Sequence, residues 1–176
     1  MQKATKKLVM IIEKLFERYI AKKQHPDGTY VSAELDPKFQ DAIFKWAKEN
    51  GIPNLADPKQ YHATIAYSRK GIPEVKSKDF KLPIAAEITG WKIFPTQTGG
   101  KCLVASLKSE QLTSHFNDIM DNYGATYDFP SYQPHITVSY DYGSDVAPKT
   151  FPKIKVQFNK VRIEPLDPEK PIKKAK

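Results

Sequence analysis

The sequence predicts an α+β domain of two pseudo-symmetric lobes, each of mainly antiparallel sheet flanked by helices. Three observations lead there. The segment Tyr61-His62-Ala63-Thr64-Ile65-Ala66-Tyr67 alternates with period two and is rich in β-branched and aromatic residues, the pattern of a strand. Pro134-His135-Ile136-Thr137-Val138-Ser139-Tyr140 repeats its order of His, any residue, Thr, β-branched, small, Tyr, with the histidines offset by 73 positions from 62 to 135. Before each copy lies a strand pattern followed by an amphipathic helix, so strand-helix-strand occurs once in each half.

The elements follow in chain order. Lys3 to Lys22 is expected as a helix, with Leu8, Ile11, Ile12, Leu15 and Tyr19 on one stripe and charged residues opposite. His25-Pro26-Asp27-Gly28 reads as a turn, and His25 as a loop residue without a role. Thr29 to Leu35 forms a short strand. Asp36 and Pro37 supply an N-cap and a first-turn proline for a helix whose core stripe is Phe39, Ile43, Phe44 and Trp46 or Ala47; Gly51 and Pro53 stop it. The His62 strand is followed by a basic, polar loop from Arg69 to Lys81.

Pro83 to Pro95 and Lys101 to Leu107 read as the two arms of a hairpin, turning at Thr96-Gln97-Thr98-Gly99-Gly100. Thr98-Gly99-Gly100-Lys101 lacks the spacing of a nucleotide-binding P-loop. Ser109 caps a helix whose inner face is Leu112, Phe116, Ile119, Met120 and Tyr123, closed by Gly124; His115 sits beside that stripe in a structural role. After the His135 strand and a loop from Asp141 to Pro152, Lys153 to Phe158 and Lys160 to Leu166 read as two final strands. Residues 1–168 are expected to form a single domain and 169–176 a basic tail.

Strict alternation puts His62 and Thr64 on one face of their strand and Ile65 and Tyr67 on the other. In the second copy it groups His135, Thr137 and Ser139 against Ile136, Val138 and Tyr140. Each strand thus offers an imidazole and a hydroxyl side by side. Imidazole titrates near neutrality, at a reference pKa of about 6.5, so one histidine can be neutral while its partner is protonated. That is what a general base and a general acid on opposite sides of one phosphate require. The threonine hydroxyls can donate to non-bridging oxygens as charge builds there. His62, Thr64, His135 and Thr137 are therefore the candidate catalytic residues.

The chain has 176 residues, 40% hydrophobic and 27% charged, ordinary values for a globular domain. Its net charge of +8 suits a phosphate-bearing partner, either a small cyclic nucleotide or a longer RNA. One cysteine, Cys102, excludes an internal disulfide framework, and its apolar run Cys102-Leu103-Val104-Ala105 reads as a packed strand. Neither a signal peptide nor a membrane-length apolar stretch is visible, and a cytoplasmic location is expected. No pair of histidines has metal-site spacing, so neither a metal nor a cofactor is implied.

The doubled motif resembles the two-histidine phosphoesterases, which carry paired His-x-Thr motifs on central strands of two pseudo-symmetric lobes. Within that superfamily the flanking residues are most like the phage anti-CBASS phosphodiesterases, which destroy cyclic oligonucleotide signals of bacterial immunity. The likeness lies in Thr29-Tyr30-Val31, in the His62 strand running on into Tyr67-Ser68-Arg69-Lys70, and in His135 through Tyr140-Asp141. The resemblance implies a tyrosine before the first motif, an aromatic after it and a late acidic residue as substrate-binding groups. Tyr30, Trp91 and Glu164 fit these places. For Trp91, core packing is the competing expectation, and for Glu164 a solvated pair with Arg162.

Three functions stand open at this point: a metal-independent phosphodiesterase cutting 3′–5′ bonds of cyclic di- or trinucleotides, so evading CBASS; an RNA-processing enzyme acting on 2′,3′-cyclic phosphates or 2′–5′ linkages; and a non-catalytic module sequestering cyclic nucleotides. Intact histidines and threonines in both motifs speak against the third. The Tyr30 and Trp91 likenesses and the short chain favour the first over the second. The substrate is accordingly a cyclic oligonucleotide, with short RNA as the other candidate, and no obligate protein partner is evident.

Overall fold

The computed structural model describes residues 28–96 and 98–166. The helix expected over Lys3 to Lys22, the His25 turn and the basic tail lie outside these residues. Six strands and two α-helices follow one another: β1 Thr29–Leu35, α1 Pro37–Glu49, β2 His62–Ser68, β3 Ile84–Pro95, β4 Lys101–Lys108, α2 Glu110–Tyr123, β5 His135–Ser139 and β6 Lys155–Pro165. All pairings are antiparallel, and the strands close on themselves in the order β1-β2-β5-β4-β3-β6. The two repeats are β1-α1-β2 and β4-α2-β5. They meet where β2 pairs with β5, which sets the two motif strands side by side.

Local chemistry fixes the helix ends. The Asp36 carboxylate accepts the Lys38 amide at the start of α1, and Ser109 Oγ accepts the Leu112 amide at the start of α2. Gly124 ends α2 in the left-handed conformation, at φ +62°, which a Cβ would resist. Ile43 and Ala47 of α1, and Leu112 and Ile119 of α2, are buried against the sheet. They join Val31, Ala33, Ile65, Leu103, Ala105 and Ile136 in one core. His115 packs its ring 4.9 Å from that of Phe80, and burial lowers its pKa, in keeping with a structural role.

Two expectations are corrected. The last two strands are one: β6 runs unbroken through Asn159. Its first part pairs with β3 (Ala85 with Gln157, Ala86 with Val156) and its second with β1 (Ala33 with Val161, Tyr30 with Glu164); Phe158 has Ile84 on one side and Leu35 on the other. The strand therefore changes partner rather than stopping, and in doing so closes the sheet.

The second correction concerns alternation within the motifs. Val31 faces Ala66 while the next residue, Ser32, faces Thr64, leaving Ile65 as an extra residue in β2. Leu103 faces Ser139 while Val104 faces Thr137, leaving Val138 as the extra residue in β5. Each motif thus carries a β-bulge at the residue after its threonine. A bulge reverses which face later side chains occupy. Ile65 with Ala66, and Val138 with Ser139, are all fully buried, while Tyr67 and Tyr140 turn to the side of the histidines. Ser139, expected beside His135, instead donates its hydroxyl to the Pro53 carbonyl.

Candidate active site

The pairing of Ala63 with Ile136 sets the geometry. In that antiparallel register, Thr64 falls across from His135 and His62 across from Thr137. Neighbouring strands extend this into two rows on one sheet face. One runs Arg162, Ser32, Thr64, His135, Ser106; the other runs Glu34, His62, Thr137, Val104, Lys92. The four candidate catalytic residues occupy the centre of the patch.

Both imidazoles are anchored in the same way. His62 Nδ1 donates to the carbonyl of Gln60 at 2.6 Å, and His135 Nδ1 to the carbonyl of Gln133 at 2.7 Å. A neutral imidazole that donates from Nδ1 has its lone pair on Nε2, so each ring turns its reactive nitrogen away from the strand that holds it. The repeat is therefore longer than His-x-Thr: glutamine stands two residues before each histidine, a regularity visible in the sequence. Only its main-chain carbonyl makes this contact.

Tyr30 reaches across from β1 to the first motif. Its hydroxyl lies 2.8 Å from His62 Nε2 and 2.8 Å from Thr64 Oγ1. With His62 accepting at Nε2, Tyr30 donates to it and accepts from Thr64. Burial pushes the Tyr30 phenol up to about 12, so it stays neutral and available in either role. In the second motif, Tyr140 takes up the side chain of Thr137. Burial raises the Tyr140 phenol as well, against the lowering effect of that hydrogen bond.

The two histidines differ in surroundings. Burial lowers the His135 pKa, the hydrogen bond to Gln133 opposes this, and the charges of His62 and Lys92 lower it further. The Phe94 ring stands edge-on to His135, centroids 4.9 Å apart. Tyr132 donates its hydroxyl to the Thr64 carbonyl and stacks its ring on Phe116, at 4.3 Å and 3°. Beside His62 the register puts Glu34, which is ion-paired with Arg162 and with Lys160 at 3.5 Å.

Of the three further candidates, Tyr30 contacts the first motif directly, through its hydroxyl. Glu164 is the β6 partner of Tyr30, adds to the pressure raising the Tyr30 pKa, and lies 3.5 Å from Arg162. Trp91 is not brought to the histidines. A bulge at Thr89, between Ile88 and Gly90, turns it to the core face, where its ring packs 5.5 Å from Trp46 and its indole N–H donates to the Thr150 carbonyl. Phe94, three residues on, is the aromatic of that strand on the site face. The aromatic-rich run Trp91-Lys92-Ile93-Phe94 carried the signal, but the bulge decides which ring faces the site. Among the described residues no group of three or more His, Cys, Asp or Glu is arranged to hold a metal ion, and no helix is long and apolar enough to cross a membrane.

A family model described as anti-CBASS protein Acb1 matches residues 27–173. The chain is 33% identical over 142 residues to the anti-CBASS protein Acb1 of Vibrio phage KVP40, covering 81% of this chain and 89% of that one. It is 35% identical over 122 residues to the protein of the same name from Enterobacteria phage T4, covering 69% and 77%. Among solved structures, apo Escherichia coli LigT aligns at a TM-score of 0.52 and 12% identity, over 78% of this chain and 86% of that one. TT0787 of Thermus thermophilus aligns at 0.54 and 12%, over 77% and 86%. At such identities these two likenesses concern the fold.

Proposed function

Because the chain belongs to the anti-CBASS Acb1 family, whose model spans residues 27–173, we propose that His62 and His135 are the acid–base pair of a phosphodiesterase that cuts 3′–5′ bonds of cyclic oligonucleotide signals. The enzyme so defeats the CBASS response, and its place of action is the cytoplasm, that of the host cell where the chain is phage-encoded. The observation that carries the residue assignment is the matched anchoring of the two rings. Each is held through Nδ1 by a carbonyl two residues upstream, and each lies across from the other motif's threonine.

A ribose 2′-hydroxyl beside the scissile phosphate is the nucleophile, with the high effective molarity of an intramolecular group. His135 takes its proton: burial and the charges of His62 and Lys92 favour the neutral ring, as a base requires. The 2′-oxygen bonds to phosphorus and the bond from phosphorus to the 5′-oxygen breaks. His62, protonated at Nε2, gives its proton to that departing oxygen. The products are a 2′,3′-cyclic phosphate and a free 5′-hydroxyl, with atoms and charge balanced. Thr64 and Thr137 donate to the non-bridging oxygens, where each donor contributes on the order of 10²-fold if it behaves like an oxyanion-hole donor.

Tyr30 is a positioning residue for this chemistry. When His62 is neutral, Tyr30 donates to Nε2; when His62 carries its proton, Tyr30 accepts from it, and its own hydrogen turns to Thr64. It thereby holds the ring in place in both charge states. Glu164, beside Tyr30, is assigned to a base amine on the His62 side of the substrate. The test is incubation with cyclic di- and trinucleotides, followed by mass spectrometry. The expected result is ring opening by the wild type and none by His62→Ala or His135→Ala; near wild-type turnover in either variant contradicts the pairing.

A further inference from the structure

The two histidines share one kind of anchor but not one kind of support. The Gln60 carbonyl, which accepts from His62 Nδ1, belongs to a 3₁₀ turn over Pro58–Gln60. That turn is closed locally. The Gln60 amide donates to the Asp57 carbonyl at 2.9 Å, the Tyr61 amide to the Pro58 carbonyl at 3.0 Å, and the Lys59 amide to the Asp57 carboxylate at 3.0 Å. The Gln133 carbonyl, which accepts from His135 Nδ1, lies in a segment with no helix or strand of its own. Ties to neighbouring strands place it instead.

Two such ties bracket Gln133 along the main chain. After it, the Pro134 carbonyl accepts the Leu107 amide of β4 at 2.9 Å. Before it, the Tyr132 hydroxyl donates to the Thr64 carbonyl of β2 at 2.8 Å. The second tie joins one motif to the other, and it does so where β2 and β5 share a single register pair, Ala63 with Ile136. Tyr132 is itself held by stacking on Phe116 of α2, at 4.3 Å and 3°. Burial raises its pKa above the ordinary phenol value of about 10, so the hydroxyl keeps the proton it donates. The Gln133 side chain is occupied elsewhere, with Oε1 accepting from Lys92 Nζ at 2.8 Å.

We propose that Tyr132 is a positioning residue for His135: bonded to the Thr64 carbonyl, its hydroxyl holds the Gln133 carbonyl where it fixes the orientation and tautomer of the His135 ring. A ring freed from that carbonyl can carry its proton on Nε2, the nitrogen that has to be bare in a base. Misplacement by about 1 Å also lowers rates steeply, by up to about 10²-fold. The effect on turnover rests on the phosphodiesterase reading; the anchoring does not. The charged or titratable groups around His135 are His62 of β2, Lys92 of β3 and Tyr132 itself, while β4 presents the uncharged Ser106. Burial and the charges of His62 and Lys92 lower the His135 pKa, and the hydrogen bond to Gln133 raises it. Loosening that bond therefore moves the titration of His135 to lower pH.

The experiment compares wild type with Tyr132→Phe, which keeps the ring on Phe116 and removes the hydroxyl. Side-chain NMR of the free protein follows the titration of both imidazoles and the exchange of their Nδ1 protons. Steady-state kinetics on a cyclic dinucleotide follows kcat and KM. The expected result is a lower titration midpoint and faster Nδ1 proton exchange for His135, neither for His62, and kcat lowered roughly tenfold with KM held. His62 is the internal reference, since its anchor rests on the Pro58–Gln60 turn. A His135 ring unchanged in midpoint and exchange overturns the proposal, whatever happens to kcat. Equal shifts in both histidines overturn it too, because they mark a general loosening of the sheet. So does a shifted His135 with wild-type kcat, which shows the contact without the role. A wild type that opens no cyclic dinucleotide overturns the phosphodiesterase reading, and the NMR comparison still decides whether Tyr132 holds the His135 anchor.

Discussion

At the scale of single residues, the histidines should fail as a unit. Once either imidazole is lost, the concerted proton transfers are lost, so the His62→Ala and His135→Ala double variant should be little slower than either single one. Tyr30→Phe keeps the ring and removes the hydroxyl shared by His62 Nε2 and Thr64 Oγ1. We expect kcat to fall by roughly tenfold, about 1.4 kcal/mol, with KM little changed, because the hydroxyl orients the acid rather than holding substrate. A raised KM with unchanged kcat would instead make Tyr30 a binding residue. The pH profile follows from His135. Burial first, then the charges of His62 and Lys92, set its folded pKa below the ordinary value of about 6.5. Loss of kcat/KM on the acid side should therefore be centred below 6.5, and a midpoint above it contradicts the base role. Stability moves in the same sense: the contribution from keeping this ring neutral is complete above about 6.5 and disappears as pH falls through the folded value.

At the scale of elements, β3 makes the sharpest contrast, since its two faces should give opposite phenotypes. Trp91 packs against Trp46 and donates to Thr150, so Trp91→Ala should cost on the order of 2–4 kcal/mol of stability. For a chain of this size that is a fall in melting temperature of roughly 5–15 °C, with KM unchanged. Phe94 stands against His135, so Phe94→Ala should raise KM with a smaller loss of stability; calorimetry and steady-state kinetics on both variants separate the faces. The competing expectations for Trp91 turn on a single bulge at Thr89. Strand periodicity is legible from the spacing of β-branched and aromatic residues, as are the capping aspartate and serine of α1 and α2. Bulges are not, because they depend on which residue of the neighbouring strand lies opposite, and that is a tertiary fact. The same ignorance misplaced Tyr67, Ser139 and Tyr140 by one face each. It also split β6, whose Asn159-Lys160 looks like a turn when no partner strand is known.

At the scale of the whole molecule, the repeat was legible because β1-α1-β2 and β4-α2-β5 carry the same motif at the same place. Two copies around the central β2–β5 pairing yield two imidazoles whose roles differ only through their neighbours, Glu34 and its cations on one side, Ser106 and Lys92 on the other. None of those neighbours is marked by the motif, since each belongs to a different strand and meets its histidine only across the sheet. This architecture also limits the chemistry. A base and an acid disposed about one phosphate can transfer both protons that internal attack requires, one from the 2′-hydroxyl and one to the 5′-oxygen, so the first step needs no activated water. Three consequences can be measured together. Activity should persist in excess chelator. Substrates with a 2′-deoxyribose at the cleaved position should resist, as should linkages made through the 2′-oxygen. The earliest product should carry a 2′,3′-cyclic phosphate, lighter than the open monoester by one water and therefore distinct by mass. Rapid opening of the 2′-deoxy substrate would leave the histidine pair in place but require water as nucleophile, and strict dependence on an added divalent metal would remove proton transfer by the two imidazoles as the sole source of activation.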